Sequence, residues 1–283
     1  MEVSAAIDPL LASALRPFQA LEAQGLASQY ERSFKLEPGR LITQRYMLGV
    51  RTDEASSAQL VAAAKGVGMP EPALTTFAQS LGGASTVLFG FEAVEPPDPA
   101  GHGPVFKVYA EYRSRLIGRS PDEPPVELFR GFKWQPERQD AGLQTVYWCR
   151  PGLAIHDIQQ QVRARLAAPM LHPVRRAVDA VLAQALAANP ACRPQWLELG
   201  EADQPIRAFD LNLYDVRMRV TDIARALTML ASDFNIPSSD LARLLSIAGP
   251  GWLGHVSAGE SRSHAGFLTV YFEPVDLSSI TSS

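Results

Sequence analysis

Lysine, arginine and tyrosine recur along this chain inside segments that otherwise resemble β-strands, at positions where a core strand favours valine or isoleucine. The series consists of Arg45, Lys107, Tyr109, Lys133, Tyr147, Arg207, Tyr214 and Tyr271, with Arg262 shortly before its last member. Any one of them alone is typical of a surface charge or an interface aromatic. If they converged on one point, the cations and hydroxyls could bind a diphosphate, and the aromatic faces could stabilise a carbocation.

The first member of the series belongs to a predicted hairpin over residues 31–50 that is unusually polar. A Pro38-Gly39 turn joins two segments in which apolar and polar residues alternate. This alternation places Glu31 and Lys35 on one face of the first strand, and Arg45 and Met47 on one face of the second. Such a polar face is typical of a solvated sheet, or of strands that line a chamber inside a barrel.

Several common sites are absent from the sequence. It has no phosphate-loop signature, no dinucleotide-binding glycine fingerprint, no Asp-rich diphosphate motif and no nucleophile elbow. Its histidines, at positions 102, 156, 172, 255 and 264, lack the spacing of metal ligands. Among them, His255 is the one that falls inside a predicted strand, and it is therefore a candidate site residue.

The composition indicates a soluble globular protein. The 283 residues are 46% hydrophobic and 20% charged, with a formal net charge of −4. This charge provides no overall attraction to nucleic acid or to an anionic membrane, so any anion site must be local. Cys149 and Cys192 have neither metal nor redox spacing, which suits a reducing cytoplasm. The N-terminus is not typical of a signal peptide, and no apolar run is long enough to span a bilayer.

A pattern of two helices followed by two strands recurs about five times along the chain. The second strand of each pair begins near residues 41, 104, 143, 207 and 266, and the third unit lacks most of its helices. Two short helices are predicted within residues 8–28, a strand over residues 86–92 and a strand over residues 208–217. Helices are predicted over residues 222–234 and 239–246, with N-caps at Thr221 or Asp222 and at Ser238 or Ser239. Consecutive hairpins favour antiparallel pairing, and about ten such strands with helices on one face would close into a barrel. We therefore predict an α/β (α+β) fold in which residues 1–283 form a single domain. Its core would be a ten-stranded antiparallel barrel of five ααββ repeats with the helices outside.

Several segments resemble the aromatic prenyltransferase barrel (the ABBA or PT barrel), above all the peptide prenyltransferases of the cyanobactin type. The opening hairpin, Glu31-x-Ser-x-Lys-x-Glu-x-x-Arg-Leu-Ile-x-x-Arg45, is the most specific match. Phe106-Lys-Val-Tyr109 resembles the lysine-bearing strand of that family. Trp252-x-Gly254 and the closing Gly266-Phe-Leu-Thr-Val-Tyr-Phe-Glu-Pro274 resemble its last strand pair, and the closing strand is also similar to fungal indole prenyltransferases.

The resemblance implies roles for individual residues. It makes Arg45 and Lys107 diphosphate ligands, with Arg207 at a later basic position that fits after a small insertion. Glu31 matches the carboxylate that takes up the proton of the acceptor. Tyr147, Tyr214 and Tyr271 are the tyrosines expected to shield the allyl cation. They belong to the same diphosphate-binding region.

The remaining candidates are assigned to the acceptor or isoprene pocket: Tyr109, Glu111, Lys133, Leu199, Trp252 and His255. Two of them depart from the pattern of the family. Glu111 replaces a basic residue; turned outward it would be a surface charge, whereas beside Glu31 it would suit a cationic acceptor such as a guanidinium. Leu199 replaces a bulkier aromatic residue and could admit a longer isoprene.

The implied activity is transfer of a dimethylallyl group, with geranyl as the alternative, from its diphosphate to a Tyr, Trp or Arg side chain of a ribosomal peptide natural product. Dimethylallyl diphosphate would be the co-substrate, and Mg2+ would bind through its phosphate oxygens. The partner would be a linear or macrocyclic peptide, with neither nucleic acid nor membrane. Two alternatives remain, namely prenylation of a small aromatic metabolite and a non-catalytic barrel that binds a peptide.

Overall fold

The computed structural model of the protein describes residues 21, 23–93, 104–136, 143–201, 204–261 and 264–273, without the side chains of residues 28, 201 and 204–207. Ten strands lie within these ranges. They are β1 (Ala27–Glu37), β2 (Arg40–Arg51), β3 (Thr86–Glu92), β4 (Val105–Glu111), β5 (Val126–Trp134), β6 (Leu143–Arg150), β7 (Gln195–Glu201), β8 (Gln204–Asn212), β9 (Trp252–Glu260) and β10 (Gly266–Glu273).

The ten strands form a closed barrel in which each strand pairs with its sequence neighbour, and β1 completes the ring by pairing with β10. Every pair is antiparallel. Odd-numbered strands therefore end, and even-numbered strands begin, at one end of the barrel, which we call the hairpin end; the opposite end is the helix end. The closed antiparallel barrel confirms the fold class predicted from the repeat.

Helices precede three of the strand pairs, as the repeat predicts. They are α1 (Ser57–Gly66) and α2 (Glu71–Ser80) before β3, α3 (Ile155–Arg165) and α4 (His172–Ala188) before β7, and α5 (Ala224–Asp233) and α6 (Ser238–Ala248) before β9. Between β4 and β5 a single 3-10 helix, Arg113–Leu116, replaces the pair, in agreement with the shortened third unit. The helix pair predicted within residues 8–28 lies largely outside the described residues.

Apolar side chains on the outer face of the barrel pack against these helices. Phe34 of β1 is fully buried in one hydrophobic cluster with Val178 of α4. On the other side of the barrel, the rings of Phe77 in α2 and Phe132 in β5 meet edge to face with centroids 6.0 Å apart. Because successive side chains of a strand point to opposite faces, the intervening polar residues must point into the barrel.

Strand β4 shows how this alternation creates a polar interior. Phe106 and Val108 are buried in the hydrophobic cluster that contains the residues of α1 and α2. Lys107, Tyr109 and Glu111 occupy the opposite face, so all three line the barrel interior. The polar face of the opening hairpin is therefore the lining of a chamber, rather than a solvated sheet surface.

Three predicted element boundaries are wrong for local reasons. The predicted strand at residues 208–217 ends at Asn212, because the Asn212 side chain accepts a hydrogen bond from the backbone N–H of Tyr214 at 3.2 Å, a turn that stops pairing. The helix predicted to start at Asp222 begins as a 3-10 turn, Val220–Ile223, and α5 follows it. Likewise, Pro237 rather than a serine precedes α6, without a side-chain cap.

Within the described part of the chain, no helix combines the length and the apolar character that crossing a membrane requires.

Candidate active site

A buried cluster of cations lies on the inner wall where β2, β3 and β4 are adjacent. Arg45 of β2 pairs in register with Glu92 of β3, and Lys107 of β4 pairs with Gly90, two residues before Glu92 on the same face. The Glu92 carboxylate contacts both cations: its Oε2 lies 3.2 Å from Arg45 Nε and accepts a short hydrogen bond from Lys107 Nζ. Arg45 also donates to Thr269 Oγ1 of β10 at 3.2 Å, so it spans the seam where the barrel closes.

Electrostatics keep this cluster charged but leave Lys107 close to losing its proton. Burial raises the pKa of Glu92, but the charges of Arg45 and Lys107 outweigh it and hold the pKa well below its usual range. Burial lowers the pKa of Lys107 to about 7, opposed by Glu92 and reinforced by Arg45. Burial would also lower the pKa of Arg45, but Glu92, Tyr271 and Tyr109 together outweigh it and raise that pKa. One carboxylate therefore holds two cations in place inside the barrel.

Further cations surround this cluster. Lys133 of β5 lies opposite Lys107 in the register of the barrel and is close enough to lower its pKa. Lys35 of β1 pairs with Glu37, and its Nζ lies 4.7 Å from the centroid of the Phe267 ring. The backbone of Arg207 belongs to β8, but its side chain lies outside the description, so its predicted diphosphate contact stays a prediction.

Three buried tyrosines lie beside the cations. Tyr109 and Tyr147 share a hydrogen bond between their hydroxyls, and their rings meet edge to face at 5.7 Å. The Tyr271 ring lies 5.7 Å from the Arg45 guanidinium, and the two side chains are hydrogen-bonded. Burial raises the pKa of Tyr109 to about 12, and it raises that of Tyr147 and Tyr271 as well. All three tyrosines therefore remain neutral phenols near pH 7.

A glycine allows Tyr109 to lie flat against the barrel wall. Gly131 of β5 is opposite Tyr109, and a Cβ at that position would come within 2.6 Å of two ring carbons. Leu199 of β7 pairs with Tyr147, so it lies next to the same aromatic group, and its place in an isoprene pocket stays a prediction.

An acidic group lies on the other side of Tyr271. His255 of β9 stacks on the Tyr271 ring with centroids 3.9 Å apart and an angle of 7°. Its Nδ1 lies 2.6 Å from Asp210 Oδ2, and its Nε2 lies 3.2 Å from Glu31 Oε1. The Tyr214 hydroxyl donates a short hydrogen bond to Glu31 as well. Glu31, a candidate through the family resemblance of the opening hairpin, is thus the centre of a hydrogen-bonded network.

The histidine in this network is charged. Burial lowers the pKa of His255, but the carboxylates of Asp210 and Glu31 outweigh it and raise the pKa to about 10. Burial raises the pKa of Asp210, opposed by the charge of His255. An imidazolium between two carboxylates donates both of its N–H groups, which fixes the orientation of Glu31.

Glu111 does not join this network. It lies on the inner face of β4, but its carboxylate pairs with Arg113 Nε at 2.9 Å near the helix end of the strand. The second carboxylate in the network of Glu31 is Asp210, which the sequence reasoning missed. Asp210 could have been found as a lone acid between two apolar strand residues, Phe209 and Leu211, which are fully buried on the outer face.

Glu92 was missed for a similar reason. It ends a predicted strand, where an acid is commonly a solvated terminal residue, and only the pairing of β2 with β3 places it against Arg45. The sequence did contain a clue to its position. Glu92 lies at every-second-residue spacing from Leu88 and Gly90, so it is on the same face of the sheet as the polar residues of β2 and β4.

Tyr214 and Trp252 lie at the helix end of the barrel rather than deep inside it. Tyr214 begins a short 3-10 helix after β8, and Trp252 is the first residue of β9. Together with Arg217, Leu253 and Glu273 they line a cavity of about 370 Å3. This cavity connects to the acidic network through the Tyr214 hydroxyl.

Gly254→Ala is expected to break the contact between Tyr214 and Glu31. A Cβ at residue 254 would come within 2.7 Å of the Tyr214 hydroxyl and 3.0 Å of Glu31 Oε1. The half-exposed Tyr214 should swing away, because the fold does not enclose its ring. Burial and the charge of Glu31 now raise the pKa of Tyr214, so in the variant this pKa should fall toward about 10. Ultraviolet titration of phenolate should then show one additional tyrosine ionising near that pH.

The double variant Gly254→Ala with Tyr214→Phe is the control for this assignment. It should lose the additional transition while keeping the circular dichroism of the native barrel. If the transition persists in the double variant, a different tyrosine has been released.

Of three comparisons with known proteins, only the comparison with solved structures finds proteins similar to this chain. No family model matches the sequence, and no curated protein is significantly similar to it. Solved structures are similar over most of the chain. The 6-dimethylallyltryptophan synthase of Micromonospora olivasterospora, in complex with DMASPP and Trp, is 13% identical at a TM-score of 0.56 and covers 96% of this chain and 97% of its own. The chain has the fold of a prenyltransferase.

Two further structures agree with this fold. NotF prenyltransferase is 11% identical at a TM-score of 0.56, with 87% of this chain and 80% of that chain covered. The 5-dimethylallyltryptophan synthase of Streptomyces coelicolor is 15% identical at a TM-score of 0.52, with 86% and 80% covered. The ABBA or PT barrel expected from the sequence resemblance is therefore the fold of this chain.

The described residues contain no group of three or more His, Cys, Asp or Glu side chains arranged to hold a metal ion. Glu92, the carboxylate closest to the cations of the barrel, is engaged by Arg45 and Lys107.

Proposed function

We propose that the protein transfers an allyl group from its diphosphate to a nucleophilic side chain of a peptide. The observation that supports this most is the arrangement around Tyr271, whose ring contacts Arg45 on one side and His255, with Glu31 beyond it, on the other. The reaction needs these three groups in this order. They are cations for the leaving diphosphate, aromatic faces for the allyl cation, and a carboxylate for the proton of the acceptor.

The cationic cluster would stabilise the leaving group. As the C–O bond of the allyl diphosphate breaks, the diphosphate keeps the electron pair, and Arg45 and Lys107 meet the growing negative charge. Lys133 and Arg207 would add to this binding. Mg2+, expected through the phosphate oxygens, would supply further charge neutralisation. In the free protein Glu92 holds the two cations in place, so little reorganisation is needed when the diphosphate binds.

The tyrosines would keep the allyl cation from water. Tyr109, Tyr147 and Tyr271 are neutral and lie beside Arg45, so their π-faces can stabilise the cation without competing for the diphosphate. Leu199, next to Tyr147 in the barrel, would set the length of isoprene that fits, dimethylallyl or geranyl.

The acidic network would complete the reaction. The acceptor attacks the allyl carbon, a new bond forms, and the proton that the acceptor loses passes to a Glu31 oxygen. Tyr214 and His255 hold that carboxylate in one orientation through their hydrogen bonds. Tyr214, predicted as part of the tyrosine shield, is therefore better described as a positioning residue for Glu31.

The acceptor we propose is a Tyr, Trp or Arg side chain of a ribosomal peptide natural product, as in the cyanobactin-type resemblance of the opening hairpin. The cavity at the helix end gives such a chain a place to enter. A second candidate, prenylation of a small aromatic metabolite, is favoured by the bound molecules of the neighbours, which are tryptophan in one structure and brevianamide F in another. A non-catalytic barrel that only binds a peptide would have no need for buried Arg45 and Lys107.

Calorimetry with a non-hydrolysable dimethylallyl diphosphate analogue tests whether the protein binds the allyl diphosphate. If the analogue does not bind, both candidate enzyme functions are wrong. Mass spectrometry then separates these candidates. The protein is incubated with Mg2+, dimethylallyl or geranyl diphosphate, and a mixture of linear and cyclic peptides together with tryptophan and tyrosine. Products on peptides support the first candidate, whereas products on the free amino acids alone support the second.

The pH dependence of analogue binding should follow Lys107. Its pKa of about 7 means that the amine is charged below pH 7 and neutral above it. The diphosphate is already ionised there, since phosphate groups have a second pKa of about 6. The affinity measured by calorimetry should therefore fall between pH 7 and pH 9, by up to about tenfold per pH unit if only the charged amine binds. Lys107→Arg should flatten this profile, and an unchanged slope in that variant would assign the titration to another group.

The remaining proposals concern the whole chain. We propose that residues 1–283 act as one prenyltransferase domain in the cytoplasm. Cys149 and Cys192 are both free and buried, which suits a reducing compartment.

A further inference from the structure

The outer wall of the barrel at β6 is exposed, although helices cover the outer side of other strands. The described residues between β4 and β5 contain a single 3-10 helix, whereas a pair of α-helices precedes each of β3, β7 and β9. Trp148 of β6 points outward, because it pairs in register with Glu198, which shares the outer face of β7 with the buried Trp196. The Trp148 side chain is 38% exposed, whereas the outward Phe132 of β5 is buried against α2.

The Trp148 ring is packed on one side and open on the other. A Cβ added to Gly200 of β7 would lie 3.7 Å from Trp148 Nε1, an ordinary van der Waals distance, so the indole covers this glycine. Tryptophan is enriched among the residues that contribute most to protein interfaces, since it offers a large contact area with few rotatable bonds. A supported but uncovered indole is suited to contacting a partner.

A glutamate with two arginines lies on the β5 side of Trp148. Glu127 of β5 is the partner of Trp148 in register, so the two side chains share the outer face. Its carboxylate accepts hydrogen bonds from Arg130 Nε at 2.7 Å and from Nη1 of Arg115, in the 3-10 helix, at 3.0 Å.

Glu198 forms an equivalent group on the β7 side. Its Oε1 accepts a hydrogen bond from Nη2 of Arg165, the last residue of α3, at 2.8 Å, and it lies 3.5 Å from Arg150 Nε. The carboxylates of both groups are nearly buried, whereas the arginine side chains remain partly exposed. Four arginines against two glutamates leave a local excess of two positive charges, on a chain whose net charge is −4.

The closed barrel limits how another chain could bind this wall. Each of the ten strands is hydrogen-bonded on both sides, so an additional strand would find no free edge to pair with. A helix can lie on the outer face, as α2 does against Phe132. The binding mode that fits this wall is therefore a helix that contacts the sheet through its side chains.

The spacing of the charges defines the sequence of such a helix. Adjacent strands lie about 4.8 Å apart, so Glu127 and Glu198, on either side of β6, are separated by roughly 10 Å. Residues i and i+7 of an α-helix lie on one face and about 10.5 Å apart. Acidic residues at i and i+7 would thus reach the two arginine pairs, and an apolar residue at i+3 or i+4 would face Trp148.

We propose that the outer wall at β5, β6 and β7 binds an acidic amphipathic helix of a partner protein. Two carboxylates of the helix would pair with the exposed arginines, and its apolar residue would pack on Trp148. The net negative charge of the whole chain opposes binding of long polyanions, such as nucleic acid or an anionic membrane, whereas two carboxylates need only the local positive charge. This inference is independent of the proposed function, because none of these side chains points into the barrel.

Fluorescence anisotropy on the full chain tests the proposal with three labelled peptides. Each is about 15 residues long and is held helical by a covalent staple, because an unlinked helix of that length is marginal in water. The acidic probe has Glu at i and i+7 and Leu at i+3 and i+4; the amide probe has Gln in place of Glu, and the alanine probe has Ala in place of Leu. The acidic probe should bind about fivefold or more tightly than either of the others. Its advantage over the amide probe should shrink at about 1 M salt, where the Debye length is about 3 Å.

Variants on the wall assign the contacts. Trp148→Ala should weaken binding of the acidic probe by about tenfold or more. The double variant of Arg130→Gln with Arg150→Gln should bind the acidic and amide probes nearly equally. This double variant should keep the circular dichroism of the native barrel, because Glu127 keeps Arg115 and Glu198 keeps Arg165 as a partner.

Two control variants are matched to these changes. Met229→Ala removes an apolar side chain of α5 that is also 38% exposed. Arg176→Gln removes an exposed arginine of α4 that pairs with Asp233. Both controls should bind the acidic probe as the unchanged protein does.

Three results would overturn the proposal: no binding of the acidic probe, equal binding of the acidic and amide probes, or equal losses in the wall variants and their controls. Vesicles of phosphatidylcholine with phosphatidylserine, and a poly-uridine oligomer, are measured in parallel. If either binds more tightly than the acidic probe, and the double arginine variant abolishes that binding, the wall recognises a membrane or a nucleic acid and the proposed protein partner is wrong.

Discussion

Glu31→Gln should lower the rate of allyl transfer by roughly 10²–10⁴-fold, the usual contribution of a positioned general base. The amide cannot take up the proton of the acceptor, yet it has nearly the same size and can still accept the hydrogen bond of the Tyr214 hydroxyl. The diphosphate cations are unaffected, since Arg45 and Lys107 are held by Glu92 and not by Glu31. Affinity for the non-hydrolysable analogue should therefore remain nearly intact. Single-turnover product formation, followed by mass spectrometry, and calorimetry measure the two quantities.

Two further variants make this result specific. Glu37→Gln changes an acid on the same strand that pairs with Lys35 near the hairpin end, and it should leave the transfer rate close to that of the unchanged protein. Glu31→Asp keeps a carboxylate but shortens it, so its rate should lie between the other two. Unchanged turnover in Glu31→Gln would remove Glu31 from the proton transfer, whatever its effect on binding.

The fold could be predicted from sequence because its strands are local hairpins. Strand pairs such as Arg40–Arg51 with Ala27–Glu37 are joined by a turn that the Pro38-Gly39 signal identifies, and the pattern recurs along the chain. The predictions that failed depend on single side chains. The Asn212 side chain ends β8 before Tyr214, and no periodicity in the sequence reports such a turn.

The site was harder to predict because its contacts join residues that are far apart in sequence. Arg45 meets Thr269, and Glu31 meets His255, each across 224 positions. Such contacts depend on strand register, and a slip of one residue would exchange the inner and outer faces of a strand. Composition could show that cations recur, but only the register shows that Glu92 lies between two of them and that Asp210 orients His255.

The residue types also did not show that positive and negative side chains would form two separate groups inside the barrel. The chain has a net charge of −4, yet its interior contains a cationic cluster at Arg45 and Lys107 and an acidic network at Glu31 and Asp210. Tyr271 contacts Arg45 of the cationic cluster and His255, which contacts both carboxylates of the acidic network. In the proposed reaction, this separation would let one chamber stabilise an anionic leaving group and accept a proton, because each charge would be close to the atoms on which it acts.

Arg45→Leu should weaken binding of the diphosphate analogue and lower kcat/KM for transfer by roughly 10²–10³-fold, the range seen when one preorganised donor is removed from a reacting charge. Arg45 is buried, it makes no aligned hydrogen bond through Nε, and it contacts both Glu92 and Tyr271. A diphosphate could accept the N–H donors of the guanidinium that the protein leaves unused. Without Arg45, Glu92 and Lys107 neutralise one another, and little positive charge remains at this wall. Calorimetry and steady-state kinetics measure the two losses.

Two comparisons separate this effect from a general loss of folding or of surface charge. Arg45→Lys keeps the charge but not the planar set of donors, so its losses should be smaller than those of Arg45→Leu, and the barrel should remain folded because Glu92 keeps a cationic partner. Arg51→Leu changes an exposed arginine of the same strand, paired with Asp53, and should leave both stability and affinity nearly unchanged. Equal affinity losses in Arg45→Leu and Arg51→Leu would show that the cations act through the overall electrostatic potential of the barrel. The proposal that Arg45 contacts the diphosphate directly would then be wrong.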